Sequence, residues 1–325
     1  MQSKLVNKKH AKPIPFDKLM VYIIFVIVFV FFSILLEPKG FLNITNLLNI
    51  LRQTAVISIM AVGGTFVMAS GQIDLTVGAV AAMSSVFSAL VLQKNGSIIL
   101  SVLAGICFGT FVGLINGLLV TKLRLPAFLA TLGVMQLVRG SAMKITDTSA
   151  IPIDNDTFTY IFGAGSVGSI PILVFWTMLI YLIGAYIFYK SSFGRHVLAT
   201  GGNRLSAEYS GIKTEKVLII SFIISGLLAG LGGVLYAGRL SAGRFSYGDG
   251  DEMSVIAAVV LGGTAMSGGT GAILGSLVGS LLMGIINNAL ILANLSSAEQ
   301  MMIRGAIIVV SVAVSNLTQK IQKAA

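Results

Sequence analysis

The sequence predicts an all-α, polytopic membrane protein with about ten transmembrane helices, some of them short or broken. Three observations carry this. Apolar residues make up 55% of the 325 and charged residues only 10%, whereas a soluble domain is usually about a quarter charged. Mean hydropathy is +0.93. The apolar residues also gather into runs near the length of about 20 that a helix needs to cross the hydrocarbon core.

In chain order the runs fall at about 19–36, 53–70, 76–93, 97–120, 126–145, 170–189, 217–237, 253–266, 271–293 and 299–316. The first is too long for the apolar stretch of a cleaved signal and lacks a small-residue cleavage site, so it reads as an uncleaved insertion signal. The eighth is short. The third and ninth each follow a Gly-rich interruption, so either can belong to a re-entrant pair instead of two full crossings. The chain divides into a basic N-terminus (1–18), a membrane domain (19–316) and a short C-terminus (317–325).

Ten spans place both termini on one side, together with residues 121–125 and 190–216. That side holds fourteen of the 22 Lys and Arg, and the positive-inside rule makes it cytoplasmic. The net charge of +10 therefore reports topology; nucleic acid is not an expected partner. The opposite side has two longer segments, 146–169 and 239–252, which read equally well as docking surfaces or as ordinary solvated loops.

Two short stretches echo each other. "GLINGLLV" (113–120) resembles "GIINNALI" (284–291), and each is followed by a helix carrying Arg-Gly, "MQLVRG" and "MMIRG". Five spans separate the copies, so they run in opposite directions, the pattern of a five-plus-five inverted repeat. Chance matching of Gly-rich apolar runs is the other explanation.

Enzyme constellations are missing. The one cysteine, Cys107, allows no disulfide within the chain, and with two histidines, His10 and His196, no Cys/His metal cluster is expected. "SGGTG" (267–271) lacks the lysine of a phosphate loop. No catalytic residue, metal or cofactor is expected. Polar uncharged groups at depth, Asn116, Asn287, Asn288, Ser84, Ser85 and Thr131, suit a path for a hydroxyl-rich neutral solute. Interhelical hydrogen bonding is the alternative for each.

"ASGQIDLTVG" (69–78) places one carboxylate between two apolar runs. Gly71 and Gly78 permit a helix break there, and Gly268 and Gly269 permit a second one ahead of the ninth run. Asp74 stands just ahead of "LTVGAVAAM", where a carboxylate can accept backbone N–H groups at the positive end of a helix. This favours a capping role over direct contact with a solute. The longest internal cytoplasmic loop, 190–216, contains "NRLSAEYSGI", in which Asn203 suits a cap, Ala207 and Glu208 favour helix, and Gly211 ends it.

This loop, "GRHVLATGGNRLSAEYSGI", resembles the cytoplasmic loop of permease subunits from bacterial ABC importers of the ribose, xylose and arabinose type. "SGQIDLTVG" is similar to the family's "SGGIDLSVG", with Gln72 in place of a glycine, and residues 257–290 match a further block. The motifs lie in order across about 60–316. The resemblance implies a pore subunit in the bacterial inner membrane, working with a second permease copy or paralogue, a cytoplasmic ABC ATPase and an extracytoplasmic sugar-binding protein, in contact with membrane lipid. It implies a coupling helix around Gly201, Gly202, Asn203, Ala207, Ser210 and Gly211, seated on the ATPase. It leaves the sugar open. A branched-chain amino-acid permease and an ion-gradient-driven carrier remain as alternatives.

Overall fold

The computed structural model describes the backbone of residues 16–324. Residues 1–15, most of the basic N-terminus with His10, and Ala325 lie outside the described residues. The elements are α1 (Phe16–Leu35), α2 (Ile44–Ala69), α3 (Val77–Asn95), α4 (Ile98–Thr121), α5 (Ala127–Thr146), β1 (Ile151–Pro152), α6 (Asp156–Thr159), β2 (Ser166–Val167), β3 (Ile170–Pro171), α7 (Ile172–Lys190), α8 (Ser192–Gly202), α9 (Arg204–Tyr209), α10 (Thr214–Leu240), β4 (Ala242–Gly243), α11 (Asp251–Leu261), α12 (Ile273–Leu292) and α13 (Ser297–Ala324). The fold is all-α apart from two-residue strand pairs.

Among the described residues six helices, α2, α3, α4, α7, α10 and α12, are long and apolar enough to cross a membrane. The expected eighth span differs most. Its helix, α11, has 11 residues and rises about 16 Å, roughly half the hydrocarbon thickness. It starts two residues earlier than expected and ends at Leu261, because Gly262 and Gly263 (φ +89°) turn the chain away.

α10 is the central element. It packs chiefly on α4 and α3, and also on α2, while α2 packs in turn on α12, α11 and α7. The α4–α10 contact is made at backbone distance. A Cβ on Gly109 would stand 2.2 Å from the Gly226 carbonyl oxygen, and one on Gly113 2.3 Å from that of Phe222. Close packing of this kind replaces the hydrophobic drive that lipid removes between membrane helices. The echoing stretches 113–120 and 284–291 lie in α4 and α12.

At one end of the bundle β1 pairs antiparallel with β4, Ile151 opposite Gly243. The segments 146–169 and 239–252 are thus joined to each other, where the sequence shows two separate loops. The other end carries α8 and α9.

Candidate functional site

The loop 190–216 folds as two helices set between α7 and α10. The Ser191 hydroxyl accepts the Gly194 N–H at 3.2 Å and so starts α8. Asn203 Oδ1 accepts the Ser206 N–H at 3.0 Å and starts α9. Ala207 is buried, Ser210 and Gly211 are exposed, and Gly211 ends the helix with φ +82°. The Thr214 hydroxyl and Arg204 both bind Glu208; these two contacts hold its carboxyl below the usual range. On the outer side of α9, Leu205 is 66% exposed and Tyr209 91%. Four residues apart, they project together. Sequence reading misses this pair, although two large apolar residues at that spacing on a short polar helix are a legible signal.

α8 does not float on the surface. Its last turn rests on the end of α2 and on the α11–α12 connection, backbone against backbone. The Gly269 N–H donates to the Ala69 carbonyl at 3.0 Å. A Cβ on Gly201 would stand 2.0 Å from that same oxygen and 2.7 Å from Gly269 N. A Cβ on Gly268 would stand 2.8 Å from Gly201 O and from Gly71 N and Cα. Gly71, Gly268 and Gly269 all have φ near +80°, where a side chain is strained. Two sets of glycines read separately in the sequence, one as a coupling loop and one as helix breaks, meet here. Gly202 is looser, with its nearest neighbour 3.7 Å from a Cβ. The tight position is therefore Gly201.

From this junction the segment Gln72–Thr76 leads, without regular secondary structure, into the bundle. Its depth follows from its partners. Asp74 Oδ2 accepts the Ser225 hydroxyl at 2.7 Å, and Ser225 is the twelfth residue of α10, about 16 Å along that helix. Asp74 Oδ1 accepts both the backbone N–H and the hydroxyl of Thr76, at 2.9 and 2.6 Å. Asn116 of α4 donates to the Thr76 oxygen at 3.0 Å. The cap position of α3 is Thr76, not Asp74, and the carboxylate acts one step back by fixing the turn that presents Thr76. Buried backbone freed by a break must find such partners inside the protein.

A second interruption lies between β4 and α11. Residues 244–250, which the sequence reads equally as a docking surface or a solvated loop, lie half-buried against α3 and α5, with Arg244 and Asp249 exposed. Gly78 of α3 lies directly under them; a Cβ there would be 2.1 Å from the Gly248 carbonyl oxygen and 2.6 Å from Glu252 Oε2. Arg139 of α5 donates to the carbonyls of Phe245 and Tyr247 at 2.8 and 3.0 Å and of Gly248 at 3.4 Å. Its guanidinium is 3.8 Å from Asp249. The Tyr236 hydroxyl donates to Asp251, and Arg239 stacks 5.2 Å from the Tyr236 ring centroid. Glu252 Oε2 is buried without a hydrogen-bond partner. Charged groups are thus more numerous at depth than Asp74 alone, the one that stands out in the sequence.

The remaining expected path residues divide in two. Asn288 exchanges two hydrogen bonds with Asn46 of α2, at 2.9 and 3.0 Å. Ser84 donates to the Gly105 carbonyl across the α3–α4 contact, Ser85 to Ala82 of its own helix, and Thr131 to Ala127 of its own helix. These groups are occupied in holding helices. Asn116 Oδ1 and Asn287 Oδ1 are buried acceptors without a hydrogen-bond partner.

Comparison with known proteins gives a consistent picture. Residues 46–312 match the family described as branched-chain amino acid transport system / permease component, and the chain belongs to that family. It is 38% identical over 288 residues to the ribose import permease protein RbsC of Escherichia coli (strain K12), covering 87% of this chain and 89% of that one. It is 34% identical over 292 residues to the L-arabinose ABC transporter permease protein AraH of Azospirillum brasilense, covering 89% and 85%. It is 34% identical over 300 residues to the D-allose transport system permease protein AlsC of Escherichia coli (strain K12), covering 92% and 91%.

Proposed function

From membership of this permease family, we propose that the chain is the pore subunit of an ATP-driven importer for a monosaccharide. It sits in the bacterial cytoplasmic membrane with both termini inside. A second permease copy or paralogue completes the pore, a separate ABC ATPase drives it, and an extracytoplasmic binding protein delivers the sugar. Relatives named for ribose, arabinose and allose favour a sugar over an amino acid. The shortage of charge along α4 and α10 agrees with a neutral solute.

The observation that carries the mechanism is the glycine junction. α9 offers Leu205 and Tyr209 to the ATPase. α8 bears on Ala69 and Gly269 through Gly201. A shift of α8–α9 when the ATPase closes on ATP then moves backbone directly, with no flexible side chain to absorb it. One branch reaches Gln72–Thr76 and the start of α3; the other reaches α12. This is coupling between two states of one element. Asn116 and Asn287, with free acceptors, are the groups of the predicted path best suited to sugar hydroxyls. The exchange of partners, α10 with α3 and α4, α2 with α11 and α12, supports a five-plus-five inverted repeat in which α11 is the shortened counterpart of α3. On that pairing the chain has ten membrane-embedded helices.

The test is uptake in proteoliposomes containing the chain, its ATPase and its binding protein, with labelled D-ribose, L-arabinose and D-allose offered in turn. The expected result is uptake of one or more of them that needs ATP and binding protein and survives collapse of ion gradients. Uptake that persists without ATP and stops with the gradient would establish the carrier mechanism instead. Tyr209→Ala is expected to weaken ATPase association while the chain still inserts.

A further inference from the structure

Between α2, α7 and α12 lies a cavity of about 370 Å³ that none of the roles above uses. Its walls include Leu51 of α2, Val174, Met178 and Leu182 of α7, and Leu277 and Leu281 of α12. The hydroxyl groups that border it or stand just behind its wall are satisfied within the protein. Thr54 donates to Ile50 and Thr177 to Leu173. Ser58 and Ser280 share a hydrogen bond. The Tyr181 hydroxyl donates to the Ser58 carbonyl and lies 3.3 Å from Ser276 Oγ. The wall therefore presents hydrocarbon only. Water gains nothing in such a space, and a sugar would find no free hydrogen-bonding group.

We infer that the cavity is a binding groove for one acyl chain of a membrane phospholipid. Three observations favour that occupant. All three flanking helices are among those long and apolar enough to span the bilayer, and α7 is one of the two least covered by protein. The groove is continuous with the lipid-facing side of α7, since Met178 and Leu182 are 62% and 61% exposed. From Val174 to Ala185 it follows α7 for about 16 Å along the bilayer normal, the direction in which an acyl chain lies. At its α8–α9 end, about one turn beyond Ala185, α7 carries Tyr189 and Lys190, both exposed, an aromatic and a cation at the depth of a headgroup phosphate. An empty void of this size would cost its lining side chains their dispersion contacts. A chain in the groove restores them and braces α7 against both α2 and α12, which meet at the junction below.

The test uses the full chain in nanodiscs of phosphatidylglycerol and phosphatidylcholine, doped with a phospholipid carrying a diazirine at mid-chain. After photolysis, peptide mapping is expected to find Met178, Leu182 and Leu277 labelled about fivefold more than exposed apolar residues elsewhere, such as Ile99 of α4 and Leu137 of α5. Ala185→Phe, which fills the groove from a lipid-facing helix, is expected to abolish that excess; Leu182→Ala, which widens it, is expected to keep it. Equal labelling at all these sites would overturn the inference and leave only bulk lipid. Labelling of Met178, Leu182 and Leu277 below the level of Ile99 and Leu137 would overturn it in favour of a face covered by protein. The readout needs neither ATPase nor sugar, so it stands or falls separately from the transport assignment.

Discussion

The two interruptions, Ser70–Thr76 before α3 and Ser241–Gly250 before α11, are closed with different chemistry. The first is sealed by short neutral donors converging on a single carboxylate: two from Thr76, one from Ser225, with Asn116 behind them. All are anchored within a turn or two of helix backbone, and none reaches far. The second is held by one long charged side chain from another helix, Arg139 of α5, which reaches three of its carbonyls. It keeps a carboxylate oxygen on Glu252 without a partner. A seal of short side chains is rigid and moves as one piece with the backbone; a clasp by one long side chain can be released. On the coupling proposed above, the first break would carry displacement from the glycine junction, and the second would be the easier one to release.

The largest expected effect breaks the rigid seal. Asp74→Leu removes the acceptor for three buried donors, each costing about 1–3 kcal/mol when orphaned, and the chain is expected not to accumulate in membranes. Asp74→Asn keeps an oxygen for Thr76, and Ser225 can accept from the new amide, so insertion and transport are expected to survive. Membrane yield and size-exclusion profiles of tagged chain distinguish the two. If both variants fold equally well, the seal is not structural.

Next comes the clasp. Arg139→Met frees three carbonyls but leaves the helices in place, so the chain is expected to fold while residues 244–250 exchange backbone hydrogens about tenfold faster, an opening easier by about 1.4 kcal/mol. Arg139→Lys restores charge but not the fork that spans several acceptors, and should fall between. Unchanged exchange in Arg139→Met would show that Gly78 and Tyr236 hold the segment unaided. The smallest effect is expected from Ser225→Ala, under about 1 kcal/mol, since single hydrogen bonds between membrane helices are worth about 0.6 on average. A loss as large as that of Asp74→Leu would place the whole seal on one bond.

Much of this is legible in the sequence, and the limits are physical. The apolar runs mark the long helices because lipid demands length and hydropathy. Gly71, Gly268 and Gly269 mark the breaks because few other residues tolerate a positive φ, whereas Gly78 lies inside α3 and is small to let Gly248 approach. Asp74 stands out because a lone acid in an apolar chain needs a reason. Three things are hidden. Residues 239–252 read equally as a docking surface or a solvated loop, and only tertiary contact with Arg139 and Gly78 shows that they close against the bundle. The shortness of α11 is set at its other end, where Gly262 and Gly263 turn the chain away. The meeting of Gly71, Gly201, Gly268 and Gly269 joins segments far apart in the chain, and nothing local announces it. The resemblance names Gly201, Gly202 and Gly211 alike for coupling; Gly202 has room and Gly211 is constrained only by its φ of +82°, whereas Gly201 has no space to spare.

The most direct test of the coupling account measures ATP hydrolysis and sugar uptake in the same proteoliposomes for Gly201→Ala. A Cβ there must push α8 away from Ala69 and Gly269 without touching Leu205 or Tyr209. The account expects hydrolysis near the wild-type rate and uptake reduced about tenfold, within the usual range of an allosteric coupling energy. Hydrolysis and uptake that both stay at wild-type levels, or that fall together in proportion, would contradict it.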